Sequence, residues 1–192
     1  VRIEEVTLRA TVADHREGPR EPFPQVAFAG RSNVGKSSLL NTLFGRRVAA
    51  VSKTPGKTRT INYYLVNNRV FFVDLPGYGF ARTGREERTA WGRRITAYLQ
   101  HEERLKLLVG LVDPRIPTSP LDQDLVAFSR TAGRPLLLVM TKTDRLGRGE
   151  LARAGQRLAR DLGAGAAPIP FSTHSGAGRR QVLAAIADAL AA

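Results

Sequence analysis

The chain has no cysteine, which excludes both a disulfide framework and a cysteine-ligated metal. It also lacks any apolar run of the ~18 residues that a membrane-spanning helix needs. Its first residues carry Arg2, Glu4, Glu5 and Arg9 in place of an apolar signal core, so a cytoplasmic location without a membrane partner is expected. Lysine is scarce: Lys36, Lys53, Lys57, Lys106 and Lys142 are the only five among 30 basic residues. Acids are scarce too, 17 in all, giving a formal net charge of +13. Codon bias can explain arginine in place of lysine, but it does not explain the shortage of acids. A partner with a phosphate backbone is therefore favoured over a merely solvated basic surface. No repeat, low-complexity tract or second domain interrupts the 192 residues, a length that suits one full core.

What is present alternates between strand and helix. Residues 3–12 read as a short strand, followed by a polar, proline-containing connection to Pro24. Val26-Ala27-Phe28-Ala29 is a core strand, and Ser38 to Phe44 a helix that Gly45 is placed to terminate. Residues 46–60 are polar and basic and read as a loop. Residues 61–66 and 69–73 are two strands joined at Asn67-Asn68, a tight-hairpin signal. Helices are expected over residues 86–100, 121–131 and 149–162 and at the carboxyl end, with strands over 105–112, 135–140 and 168–171. This is an α/β pattern: a doubly wound, mostly parallel sheet with one antiparallel edge strand. Every candidate motif follows the carboxyl end of a strand, where such folds bind ligands.

Gly30-Arg31-Ser32-Asn33-Val34-Gly35-Lys36-Ser37 fits G-x-x-x-x-G-K-[ST] between a strand and a helix. Glycines at both ends let backbone N–H groups turn inward on phosphates, and Lys36 can reach the β- and γ-phosphates. Ser37 can place its hydroxyl on Mg²⁺, and the opening helix adds its positive dipole end. The bland alternative is an ordinary glycine-rich turn. Asp74-Leu75-Pro76-Gly77 fits D-x-x-G: the aspartate can hold Mg²⁺ through water, and Gly77 lets an N–H approach the γ-phosphate. Alone that is a common turn; after a phosphate loop and hairpin it is a metal-site candidate. Thr141-Lys142-Thr143-Asp144 bears on the base. Guanine offers N1–H and a 2-amino group side by side, and one carboxylate, Asp144, can accept both. Adenine has no such pair. The Lys142 stem can lie along the base plane, although a helix-capping aspartate would leave the same trace. Ser172-Thr173-His174 can support the base through backbone N–H groups or act as a helix N-cap, and His174 reads as a loop residue. In the basic loop, Thr54, Thr58 and Thr60 each have the hydroxyl to complete Mg²⁺.

In this order, these stretches resemble the translation-factor-like class of P-loop GTPases, and more narrowly the EngB (YihA/YsxC) family of bacterial GTPases. The likeness rests on residues 27–41, on Ser52-Lys53-Thr54-Pro55-Gly56-Lys57-Thr58, on Asp74-Leu75-Pro76-Gly77-Tyr78-Gly79 and on Thr141-Lys142-Thr143-Asp144. It implies a three-layer Ras-like fold with a mostly parallel six-stranded sheet. Residues 25–192 would form the GTP-binding domain and 1–24 an extension packed on it. The implied GTP/GDP contacts run from Gly30 to Ser38 and over Gly56, Lys57, Thr58, Arg59 and Thr60. They continue through Asp74, Leu75, Pro76 and Gly77, then Thr141, Lys142, Thr143 and Asp144, and end at Ser172, Thr173 and His174. Ser37 and Thr58 would ligate Mg²⁺, with Asp74 behind it through water, and Lys36, Thr58 and Gly77 would serve hydrolysis. Asp113-Pro114-Arg115 stands where the family has Asp-x-Arg, while residues 116–120 depart from its pattern.

Two residues bear on rate. Tyr78 occupies the place of the glutamine that orients water in Ras-like enzymes, which implies slow intrinsic hydrolysis. Asn33 matches the form found in potassium-stimulated relatives, where a K⁺ ion replaces an arginine finger; an asparagine chosen for the turn is the equal alternative. The family's role in large ribosomal subunit assembly implies ribosomal RNA or the subunit as partner of a monomer, with effects on cell division and septation. A protein-binding module of cell division with no RNA partner, and an ATP-dependent kinase on the same loop, are the rival readings.

Overall fold

The computed structural model describes residues 2–50, 60–79 and 85–192, with backbone alone for 85–88. Seven strands form one sheet in the order β1-β3-β4-β2-β5-β6-β7. β1 (Val6–Val12) lies at one edge, followed inward by β3 (Ile61–Val66), β4 (Val70–Asp74) and β2 (Gln25–Gly30). β5 (Leu105–Val112), β6 (Leu136–Met140) and β7 (Ile169–Pro170) complete the other side. β3 runs antiparallel to both of its neighbours and all remaining pairings are parallel.

The α/β fold class matches expectation, and two details of the sheet differ. The sheet has seven strands where six were expected, because the strand in the amino-terminal extension pairs along β3. The strand that runs against the rest is therefore not itself the edge; β1 covers it. β1 reads imperfectly in sequence because its register shifts between Leu8 and Ala10, which breaks the two-residue alternation. Pro168 and Pro170 flank Ile169 and lack N–H groups for a ladder, so β7 is only two residues long.

Local chemistry explains the other elements. Asn67 and Asn68 both adopt positive φ (49° and 53°), the conformation a two-residue hairpin turn demands. β2 is buried over its whole length, as a central strand covered on both faces must be. On one face α1 (Lys36–Phe44) and α5 (Arg179–Ala191) pack Leu39, Leu43, Val182 and Ile186 against Phe28, Phe72 and Val109. On the other, α2 (Arg85–His101) and α3 (Pro120–Thr131) bring Trp91, Ile95, Tyr98 and Leu125 onto Ala27, Phe71 and Leu108. Burying each such large side chain stabilises the fold by about 1.5–3 kcal/mol. α4 (Arg148–Asp161) closes the β6 side through Ala154 and Leu158. The carboxyl ends of β2, β4, β5, β6 and β7 thus share one rim of the sheet.

Candidate nucleotide site

The phosphate loop leaves β2 at Gly30, where a Cβ would come within 2.9 Å of Val34 Cγ1 and 3.0 Å of the Leu111 carbonyl. Only glycine fits there. The loop turns through Asn33 (φ 64°) and Gly35 (φ 108°), and Gly35 opens α1 with no side-chain cap. The first N–H groups of α1, those of Lys36, Ser37 and Ser38, therefore face the rim without a capping oxygen, at the positive end of the helix. Buried Val34 anchors the loop from below, and its carbonyl accepts the Thr141 hydroxyl at 2.7 Å. At the other end of α1, Gly45 (φ 69°) terminates the helix as expected. Arg179 adds bonds to the carbonyls of Thr42 (2.7 Å) and Leu43 (2.9 Å).

Lys36, the first residue of α1, and Asp74, the last of β4, meet as a buried ion pair. One ammonium for phosphate oxygens, one carboxylate and the Ser37 hydroxyl form a donor set that suits a magnesium ion shared with phosphates. Among the described residues, no three His, Cys, Asp or Glu side chains converge to hold a metal by themselves.

D-x-x-G lies directly on the loop. A Cβ at Gly77 would sit 3.1 Å from Ser32 Oγ and 3.2 Å from its Cα. Beyond it, Tyr78 accepts the Ser32 N–H at 2.8 Å and donates its own N–H to Gly30 at 3.3 Å. The Tyr78 side chain turns into the core, where its hydroxyl donates to Asp122 of α3 at 2.8 Å. Its ring packs against Trp91 at a tilt of 58°, ring centroids 4.6 Å apart, and burial, with the nearby Asp122 charge, pushes the phenol far above its ordinary pKa. Trp91 Nε1 donates to the Pro76 carbonyl at 2.9 Å, which ties D-x-x-G to α2.

The base side is built by β6 and β7. Thr141 is buried and its hydroxyl ties β6 to the Val34 and Val112 carbonyls, so it fixes the loop from its own position. Lys142 adopts φ 57° and reaches back to donate to the Asn33 carbonyl at 2.7 Å and to Asp113 at 3.0 Å. Asp144 is exposed, with one oxygen held by the Ser172 hydroxyl at 2.8 Å. That bond, more than any neighbouring charge, lowers its pKa below the usual carboxylate range. Ser172 Oγ also accepts the N–H groups of His174 and Ser175 at 3.2 Å each, while Thr173 and His174 are exposed.

One rim therefore gathers residues 30–38, 74–77, 141–144 and 172–174. Gly56, Lys57, Thr58 and Arg59 lie outside the described residues, as does Thr54; Thr60 is described just ahead of β3, half-buried. Three contributors were not picked out in sequence as part of the site. Asp113 holds Lys142, and its signal is an acid that closes β5 as Asp74 closes β4. Asn41 accepts the N–H groups of Val48 and Ala49 at 2.8 Å, anchoring the chain as it leaves α1 for the basic loop. Arg179 acts only through carbonyls 137 and 136 positions away, with no local trace.

Comparison with known proteins agrees. The family profile described as 50S ribosome-binding GTPase matches residues 25–142. A probable GTP-binding protein EngB of Chlorobaculum tepidum is 43% identical over 169 residues, 88% of each chain. That of Syntrophomonas wolfei is 40% identical over 191 residues, 99% of each. Among solved structures, a probable GTP-binding protein engB superposes with TM-score 0.69 at 22% identity, covering 86% of this chain and 98% of that one. Era, solved with MgGDPNP and nucleotides 1506–1542 of 16S ribosomal RNA, superposes with TM-score 0.65 at 22% identity, over 85% of this chain and 55% of that one. At that identity these two likenesses establish the fold alone.

Fold and rim together define a GTPase of the P-loop class. Within that class the chain belongs to the EngB family of GTP-binding proteins.

Proposed function

We propose that the chain is a slow GTP-hydrolysing switch of the cytoplasm, acting as a monomer in large ribosomal subunit assembly, with effects on cell division and septation that follow from ribosome supply. Residues 25–192 form the nucleotide-binding unit, and 1–24 pack on it as an extension. One observation carries the reading: an uncapped helix start with Lys36 and an exposed, oriented Asp144 converge on a single rim.

The backbone N–H groups of residues 30–38 receive the phosphates, and Lys36 Nζ holds β- and γ-oxygens. Ser37 and Thr58 hydroxyls would ligate Mg²⁺, with Asp74 behind it through water, and a bound ion would supply positive charge beside the transferring phosphate. The Gly77 N–H holds the γ-phosphate, so loss of that phosphate releases D-x-x-G. Asp144 accepts guanine N1–H and the 2-amino group, Lys142 covers the base, and Ser172 to His174 close its edge.

Slow turnover follows from Tyr78. Its hydroxyl donates to Asp122 in the core and has no path to an attacking water. Purified protein alone should turn GTP over far more slowly than once per second; several turnovers per second would contradict this. Asn33, exposed within the phosphate loop, is the residue that would offer a side-chain carbonyl to K⁺. Faster hydrolysis in KCl than in NaCl is expected, and equal rates would remove K⁺ from the mechanism.

The ribosomal partner is supported by the net charge of +13 and by the description of the matching family profile. Pelleting with large subunits across a salt series tests it. Contact with RNA phosphates gives a steep loss of binding with salt.

A further inference from the structure

We propose that Asp113, with Arg115, is a positioning pair for Lys142 and through it sets guanine-nucleotide affinity. This rests on the reading of Lys142 and Asp144 as the base-binding wall.

Asp113 closes β5 beside β6 and is buried, and the hydrogen bonds to its carboxylate among the described residues come from Arg115 and Lys142. Both its oxygens are used. Oδ1 accepts the Arg115 N–H and Nε, each at 3.0 Å. Oδ2 accepts Arg115 Nη2 at 2.8 Å and Lys142 Nζ at 3.0 Å. Burial alone would disfavour its charge, but the bonds from Arg115 and Lys142 outweigh burial and bring its pKa down to about 2. It is a full anion at any physiological pH.

Of its two partners, Lys142 reaches the phosphate loop. Its ammonium bridges Asp113 and the Asn33 carbonyl, so its stem crosses over Gly35, with Cε 4.0 Å from where a Cβ on that glycine would stand. A free lysine stem samples many rotamers and loses that freedom on covering a base; one already fixed at both ends does not. Arg115 fixes the anion in turn: its backbone N–H, Nε and Nη2 hold the Asp113 carboxylate in the orientation in which it meets Lys142.

A double-mutant cycle decides between positioning and mere support. Affinities for fluorescent GDP and GTP are measured for the wild type, Asp113→Asn, Lys142→Ala and the double variant. Asp113→Asn should weaken both nucleotides by about 10–50-fold without changing their ratio. In the Lys142→Ala background it should change affinity less than about twofold. Arg115→Gln provides the same comparison with the Asp113–Lys142 bond left in place, and should give a smaller loss that also vanishes without Lys142. Losses that multiply in the double variants would overturn the proposal, as would unchanged affinity in Asp113→Asn. Asp144→Ala separates this from the wider reading: if it too leaves guanine-nucleotide affinity unchanged, the base-wall assignment itself fails.

Discussion

On the proposed reading Asp144 carries the choice of base, and its chemistry makes a sharp expectation. Two charge-assisted bonds to guanine are each worth about 1.5–3 kcal/mol. Asp144→Ala should therefore cost at least about a hundredfold in GTP affinity and leave GTP and ATP competing equally for a labelled nucleotide. Retained preference for GTP would reassign the residue to helix capping. Asp113 sets a pH dependence at the same scale. Its folded pKa, about 2, lies below the ~3.9 of a free aspartate, so the carboxylate stabilises the fold above that free value. This contribution is lost as pH falls from about 4 towards 2. Acid titration of thermal stability should show that fall in the wild type and a flatter course in Asp113→Asn; parallel curves would contradict it. Both residues were visible in sequence, but unequally. Asp144 stands in a four-residue motif whose chemistry is local. Asp113 acts through Lys142, 29 positions away, and no spacing rule connects them.

At the scale of elements, legibility followed the range of the forces. Asn67-Asn68 specified the hairpin and Gly45 the end of α1, because a left-handed turn is a property of one or two residues. The place of β1 was not legible, since pairing with β3 is settled by strand edges far apart in the chain, and its bulge blurs the alternation. Nor was the inward turn of Tyr78, whose partner Asp122 lies 44 positions on. Two measurements address these elements. Gly178 opens α5 at φ 81°, and a Cβ there would collide with the Pro170 carbonyl. Gly178→Ala should lower stability by about 1–3 kcal/mol from backbone strain, while Gly165→Ala, at an open position, should not. Equal melting temperatures for the two would contradict the packing of α5 on β7. Trp91 is the only tryptophan and bonds to the Pro76 carbonyl within D-x-x-G. Its emission should differ between GTP- and GDP-loaded protein, and identical spectra would mean that D-x-x-G holds one position in both states.

At the scale of the whole molecule, a nucleotide rim is joined to a strongly basic surface. Charge of this size favours phosphate-bearing partners over a wide region and does not by itself select one. Under the proposed function, selection comes from the nucleotide state, passed from the γ-phosphate through Gly77 and Tyr78 to α2 and α3. Among the described residues no helix is long and apolar enough to cross a membrane. The central claim is that GTP gates contact with the large ribosomal subunit. Its most direct test is co-sedimentation of the chain with purified large subunits in GTP, in GDP and without nucleotide, each over a salt series. Pelleting that depends on the nucleotide and falls steeply with salt is the expected result; pelleting that is absent, or equal in all three states, would contradict it.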